Sequence, residues 1–159
     1  MAITIKQRAF AGLWFMAAAA LVVLPIFFPF VKAEENPSHF MDYLIWFILC
    51  PLLIAGLVGS LLGASILDAR RAGSGWRAGL RGLLIAVASY LLYAVVLSAW
   101  DGYANHGAFS PGEAFTRTLV MALMWGAIFF GWLAAIAGAT AGWLLYLFAA
   151  SLKKRSGLR

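Results

Sequence analysis

The chain has 159 residues, of which 64% are hydrophobic and only 11% are charged. Soluble domains carry about 25% charged residues, so this composition excludes an ordinary water-soluble fold and indicates a protein dissolved mainly in lipid. The formal net charge is +6 at pH 7. Because its distribution along the chain is explained by membrane topology, we expect no nucleic-acid partner.

Four stretches without Asp, Glu, Lys or Arg predict four transmembrane helices. They hold 23, 25, 19 and 35 residues, and a helix needs roughly 20 apolar residues to cross the hydrocarbon core. The fourth stretch is long for one helix but short for two helices with a turn. We therefore predict an all-α integral membrane protein, a single four-helix transmembrane domain over residues 1–159, with spans at about 9–31, 42–67, 82–100 and 117–150.

The basic residues lie mostly on one side of these predicted spans. Ten of the twelve are on the side of both termini, and only Lys32 and Arg117 are on the other side. Since short cytoplasmic loops are enriched in Lys and Arg, we predict that both termini face the cytoplasm of a bacterial inner membrane. The basic loop 68–81 and tail 153–159 are expected to contact lipid headgroups through Arg70, Arg71, Trp76, Arg77, Arg81, Lys153, Lys154 and Arg155.

The beginning of the chain admits a second interpretation. A basic start, an apolar run and Val31-Lys32-Ala33 before Glu34 are features of a signal peptide. The apolar run has 23 residues, whereas the apolar region of a signal peptide usually has about 7–15. We therefore expect a span that stays in the protein, and cleavage after Ala33 would leave three spans.

The single cysteine, Cys50, lies in the second predicted span beside Pro51. One cysteine cannot form an internal disulfide, and a thiol–disulfide relay needs paired cysteines. This excludes the redox relays that some four-span membrane proteins carry out.

Prolines predict where the first two helices begin, bend and end. Pro25 and Pro29 are expected to kink or end the first helix near its outer end. Asn36-Pro37 is typical of a helix start, with asparagine as the N-cap and proline at the first helical position. Pro51 is expected to bend the second helix midway.

Glycines and a capping sequence predict the boundaries of the second half. Gly73-Ser74-Gly75 is expected to end the second helix. Ser110-Pro111-Gly112-Glu113 fits a capping box, with Ser110 as the N-cap and Glu113 at the third helical position. A helix from there to residue 152 is about 63 Å long at 1.5 Å per residue, so it must tilt, project from the bilayer, or break near Gly126 or Gly131.

Small residues recur at helical spacing in the second and fourth predicted helices. G-x-x-x-G patterns there let helix backbones approach closely in lipid. Two interpretations stay open: a seam for an oligomer or partner protein, or packing of helices two and four against each other. Similar spacing of start signals and glycines in the two halves also suggests two hairpins related as a parallel repeat. The predicted packing residues are Gly56, Gly59, Gly63, Gly131, Gly138 and Gly142.

The spans hold few groups that could carry out chemistry. No ionisable Asp, Glu, Lys, Arg or His lies well inside a predicted span, whereas proton relays and ion-coupled carriers normally need one. Tyr90 and Tyr93, three residues apart, could line one polar face, or could simply pack between helices. If they line a face, they would suit a carrier for an uncharged substrate or for a cationic substrate that binds aromatic rings.

The histidines are weak candidates for a metal or haem site. His39 and His106 both fall on the outer side, and His39 lies three residues before Asp42 on the expected second helix. Without an H-x-x-x-H or C-x-x-C spacing, we expect a solvated polar rim, no metal and no other cofactor. Hydrolase, P-loop, dinucleotide and kinase motifs are missing, so we predict no catalytic residues and no enzyme.

Three functions remain consistent with the sequence. The first is a non-catalytic membrane protein that acts through helix–helix contacts, as an accessory or assembly subunit of a membrane complex or as an immunity-type protector. The second is an oligomeric transporter or channel for small molecules, and the third is a haem- or metal-carrying electron-transfer subunit. The expected partners are membrane lipids and either a second copy of the chain or another membrane protein.

Overall fold

The fold was obtained as a computed structural model that describes residues 4–33, 37–67, 73–104 and 110–155. Within these ranges every regular element is helical. Four helices are long and apolar enough to cross a membrane, over Ile5–Pro29, His39–Leu67, Gly75–Ala104 and Trp132–Lys153. The prediction of an all-helical, multi-pass membrane protein is therefore confirmed.

Helix α1 covers Ile5–Ala33 and passes through both of its prolines. The sequence left open whether Pro25 and Pro29 would kink or end the helix, and the structure shows that they do not end it. A membrane helix tolerates proline because neighbouring groups and local adjustment of the backbone satisfy the carbonyls that lose a partner.

Helix α2 spans residues 37–67 and is interrupted twice by wider π-helical turns, at Leu44–Leu49 and Gly59–Gly63. The first π segment ends directly before Pro51, and the Cys50 amide donates to the Ile45 carbonyl five residues earlier. Proline has no N–H and its ring clashes with the carbonyl four residues before it, and the wider turn relieves that conflict. The predicted N-cap Asn36 lies outside the described residues.

Helix α3 covers Gly75–Ala104 and is longer than predicted at both ends. Gly73 adopts φ 72°, a conformation that glycine favours, and thereby marks the predicted break. The Arg77 amide donates to the Ser74 hydroxyl at 3.4 Å, which caps the new helix. Trp76, Arg77 and Arg81 therefore lie on the first two turns of α3, and the basic loop is shorter than the predicted 68–81.

Helix α4 spans residues 111–155, with a π segment at Ala127–Gly131. Its predicted capping box is confirmed: the Ser110 amide donates to the Glu113 carboxylate at 2.9 Å, and the Glu113 amide donates to the Ser110 hydroxyl. The Ser110 hydroxyl also donates to the Glu113 carboxylate at 2.8 Å, and this bond and the one from the Ser110 amide lower the pKa of Glu113. The expected break near Gly126 or Gly131 is a widening of the helix between these two glycines.

The four helices form two hairpins, α1 with α2 and α3 with α4, that pack side by side. The hairpins meet where α1 contacts the second half of α4 and where α2 contacts α3. Ile66, Ile85 and Leu145 are fully buried at the end of the bundle that holds the termini. The first half of α4 packs on α3 and contacts α1 little, so the other end of the bundle is more open.

In the second hairpin, Gly138 and Gly142 of α4 face α3. A Cβ atom on Gly138 would lie 2.5 Å from the Cβ of Ala86 and 2.7 Å from the Gly82 carbonyl oxygen. Gly82 in turn faces the backbone of Gly138 and Gly142. Only hydrogen atoms in place of side chains allow the two backbones to cross this closely.

The first hairpin closes in the same manner. A Cβ atom on Gly12 of α1 would lie 2.8 Å from the Gly56 carbonyl oxygen, and Gly59 and Gly63 hold the ring of Phe15 equally closely. The small faces thus pair within each hairpin, which differs from the expected pairing of helices two and four. Gly131 has no neighbour from another described helix within 4 Å of its would-be Cβ, because it closes the π segment of α4.

Candidate functional site

The most prominent feature of the interior is an apolar cavity of about 340 Å³ between the two hairpins. All four helices line it, through residues within 15–27 of α1, 47–55 of α2, 85–97 of α3 and 121–138 of α4. Along α1 the lining extends from Phe15 to Phe27, twelve steps along the helix, which is about 18 Å at 1.5 Å per residue. The cavity is therefore elongated along the helices.

Three hydroxyl groups interrupt this hydrocarbon lining, and all three come from neighbouring positions of α3. Ser89 donates to the Ile85 carbonyl of its own helix at 2.8 Å. The Tyr90 hydroxyl donates across the hairpin to the Ala122 carbonyl of α4. Both hydroxyl protons are thus already engaged, and both oxygens can still accept a hydrogen bond.

Tyr93 differs from these two neighbours. Its side chain lines the cavity and packs against the core, but its hydroxyl forms no hydrogen bond with any residue of the described ranges. In the same part of the chain, no fully enclosed polar side-chain atom lacks a partner. The Tyr93 hydroxyl is therefore open to the cavity and offers it one donor.

Irregular helix geometry shapes two walls of the cavity. Phe47, within the π segment Leu44–Leu49, and Pro51 line it from α2. Gly126, directly before the π segment Ala127–Gly131, lines it from α4, where the Tyr90 hydroxyl occupies the place of a side chain. Such π-helical turns are rare and occur frequently at functional sites.

The cavity borders two helices that scarcely touch each other. Val22 and Ile26 of α1 line it, as do Met121 and Ala122 of the first half of α4. The first half of α4 packs on α3 instead of α1. The described residues therefore enclose the cavity least between these two helices, on a side of the bundle that would face lipid in a membrane.

The structure places the residues predicted from sequence in different regions. It brings Tyr90 and Tyr93 together in the cavity wall, and Gly138 also touches the lining. Trp76 is 76% exposed at the start of α3, while Arg81 donates to the Ser65 carbonyl at 3.4 Å. Other predicted headgroup contacts lie outside the described residues: Arg70, Arg71 and the side chains of Lys154 and Arg155.

The predicted metal candidates are not gathered into a cluster within the described residues. His39 and Asp42 are exposed on the first turns of α2, and the described chain holds no group of three His, Cys, Asp or Glu side chains that could bind a metal ion. His106 lies outside the described residues.

Several residues that hold together the helices around the cavity were not singled out from the sequence. Gly12 and Gly82 set the closest approach within each hairpin, and Trp14 joins the hairpins by donating to the Ala141 carbonyl at 3.0 Å. The one sequence feature that could have marked Gly12 is that it is the only glycine in α1. No local pattern marks Trp14, because its partner is 127 residues away in the chain.

Comparison with known proteins gives no family for this chain. It matches no protein-family model, no curated protein and no solved structure.

Proposed function

We propose that this chain is a non-catalytic component of a bacterial inner membrane that acts by contact, and that it binds an apolar molecule of the bilayer in the cavity between its hairpins. The observation that carries the proposal is the cavity itself, with its hydrocarbon walls and its least enclosed side between α1 and the first half of α4. In this role the chain is an accessory subunit of a membrane complex or an immunity-type protector.

An empty cavity of this size is energetically unfavourable. Unfilled space between packed helices is destabilising, because the atoms that line it lose van der Waals partners. Filling it with water is also unfavourable, because a buried water needs two to four polar partners and the few hydroxyls lie on one helix. An apolar occupant from the bilayer restores the lost van der Waals contacts without this penalty.

The size also suits a small ligand. Ligand-binding cavities commonly measure about 300–1,000 Å³ and are mostly apolar with few polar groups. A dry engineered cavity of about 150 Å³ already takes up benzene. With 340 Å³, this cavity has room for an occupant of at least two rings or an equivalent chain.

Filling the cavity with a side chain tests the proposal. We expect Ala19→Phe, which places a ring in the cavity from α1, to abolish saturable labelling of the lining by photoactivated adamantyl diazirine in liposomes. Ala17→Phe, on the lipid-exposed side of the same helix, should leave that labelling unchanged. The readout is mass spectrometry of labelled peptides, with unlabelled diphenylmethane as the competitor that defines the saturable part.

Two results would overturn the binding function. One is the absence of competable labelling in the unsubstituted protein. The other is equal labelling of the Ala19→Phe and Ala17→Phe variants. Retained helicity and thermal stability in each variant would show that a loss of labelling comes from an occupied cavity.

The proposal includes an orientation with both termini in the cytoplasm, supported by ten basic residues on that side against two on the other. We expect reporter fusions after residue 72 and after residue 159 to report the cytoplasm, and a fusion between residues 104 and 107 to report the outside. An alkaline phosphatase and green fluorescent protein pair reads both compartments. Any reversal at one of the three sites would contradict this topology.

A second function, transport of a small uncharged molecule, is favoured by the least enclosed side of the cavity and by the tyrosines that face the cavity. It differs from simple binding because the occupant must also leave on the other side of the membrane. Flux of a cavity ligand across liposomes that contain only this protein distinguishes the two functions.

A further inference from the structure

The Tyr93 side chain lines the cavity at a position deep within α3. From its position on α3, it lies twelve residues after Arg81 and eight before Asp101, which is about 18 Å and 12 Å along the helix. Both charged residues belong near the membrane surfaces, so the Tyr93 hydroxyl lies within the hydrocarbon region, whose total thickness is about 30 Å.

A hydroxyl donor without a partner is unfavourable at such depth. Water is scarce in the hydrocarbon core, and an unsatisfied polar group there costs free energy. Ser89 and Tyr90, about one turn before Tyr93 on the same helix, donate hydrogen bonds to the carbonyls of Ile85 and Ala122. Of the three hydroxyls in the described lining of the cavity, only that of Tyr93 has an O–H group that can donate a hydrogen bond to a ligand.

We propose, building on the binding function above, that the cavity selects uncharged apolar ring compounds that carry a carbonyl oxygen, and that Tyr93 donates a hydrogen bond to this oxygen. An acceptor is required because the free group is a donor. A neutral acceptor is required because the cavity walls hold no cation. Tyr93 is then a residue that determines ligand specificity.

The depth of Tyr93 also separates two sources of such a carbonyl. The ester carbonyls of membrane glycerolipids lie at the edge of the hydrocarbon core, near the headgroups. Tyr93 lies nearer its middle, and the cavity lining includes the aromatic rings of Phe27, Phe47 and Tyr90. These observations favour a ketone- or quinone-type compound dissolved in the bilayer over the ester group of a lipid.

A pair of probes that differ only in the carbonyl group tests this specificity. Benzophenone and diphenylmethane share two phenyl rings, but only benzophenone has the acceptor oxygen. Each is used, without irradiation, to compete with radiolabelled diphenylmethane for the cavity in liposomes that contain the full chain, because light that activates a diazirine also activates benzophenone. We expect Tyr93→Phe to weaken benzophenone about two- to tenfold, the usual net value of one hydrogen bond, and to leave diphenylmethane unchanged.

Tyr90→Phe is the matched control, because the Tyr90 hydroxyl already donates to Ala122; it should not change the ratio of the two affinities. Equal weakening of both probes by Tyr93→Phe, or no change in either, would overturn the role of Tyr93 while the binding function stands. A stronger effect of Tyr90→Phe on benzophenone would overturn it as well.

If neither probe competes in the unsubstituted protein, the binding function itself fails. Competition by a diacyl lipid ester that depends on Tyr93 would contradict the choice of a dissolved ring compound.

Discussion

Replacing Gly82 with alanine should lower the free energy of unfolding by about 3 kcal/mol, at the upper end of the usual range for overpacking. A Cβ atom at this position would collide with the Gly138 carbonyl oxygen and lie 2.9 Å from the Gly142 Cα. Both neighbours are backbone atoms, which cannot rotate away as the end of a flexible side chain can. The α3–α4 hairpin must therefore separate along its length to accommodate a single methyl group.

Gly79→Ala provides a matched control on the same helix. Its Cβ atom would meet only the Ala139 carbonyl oxygen, at an ordinary contact distance of 3.5 Å. Since alanine favours helix more than glycine by about 1 kcal/mol, this variant should unfold at the same or slightly higher denaturant concentration. Reversible unfolding in mixed micelles, followed by circular dichroism, compares the two. Equal stability of Gly82→Ala and Gly79→Ala would refute the close glycine crossing.

Replacing Trp14 with alanine should cost a similar amount, about 3 kcal/mol, but through a different interface. The indole N–H of Trp14 donates to the Ala141 carbonyl at 3.0 Å, and its ring lies 6.3 Å from that of Phe148 and 6.2 Å from that of Phe10. Trp14 and Phe148 belong to different hairpins. Loss of the ring should therefore loosen the contact between the hairpins while each hairpin keeps its helical structure.

Trp14→Phe separates the hydrogen bond from the packing. It keeps an aromatic ring and removes the N–H donor, so we expect a loss of about 1 kcal/mol, the usual net value of one hydrogen bond. A spin-label distance between α1 and the second half of α4 should broaden in Trp14→Ala and stay narrow in Trp14→Phe. Unchanged distances in both variants would show that other contacts hold the hairpins together.

The sequence predicted the local features of this fold well because they depend on neighbours in the chain. The capping box at Ser110 and Glu113 and the break at Gly73 are decided within a few residues by hydrogen bonding and backbone freedom. The effect of Pro51 was predicted only in part: the bend stays a prediction, and the π segment Leu44–Leu49 that precedes the proline was not predicted.

The candidate site was predicted only as two tyrosines on one face. Spacing placed Tyr90 and Tyr93 together, but the bond from Tyr90 to Ala122 and the open donor of Tyr93 arise from the way α4 packs on α3. The predicted parallel repeat stays a prediction. Each hairpin has a glycine crossing, yet the crossing partners Gly12 and Gly82 were not among the residues that suggested the repeat.

The sequence by itself determined that this protein has four long apolar helices suited to a membrane, because the length of an uncharged run is enough to meet the hydrocarbon thickness. It also determined which positions are small enough for close helix contact. Only the tertiary structure decided which small faces meet, and that they meet within each hairpin. It alone decided that the hairpins separate at one end to form a cavity, because helix partners in lipid are chosen by shape complementarity, which no single helix contains.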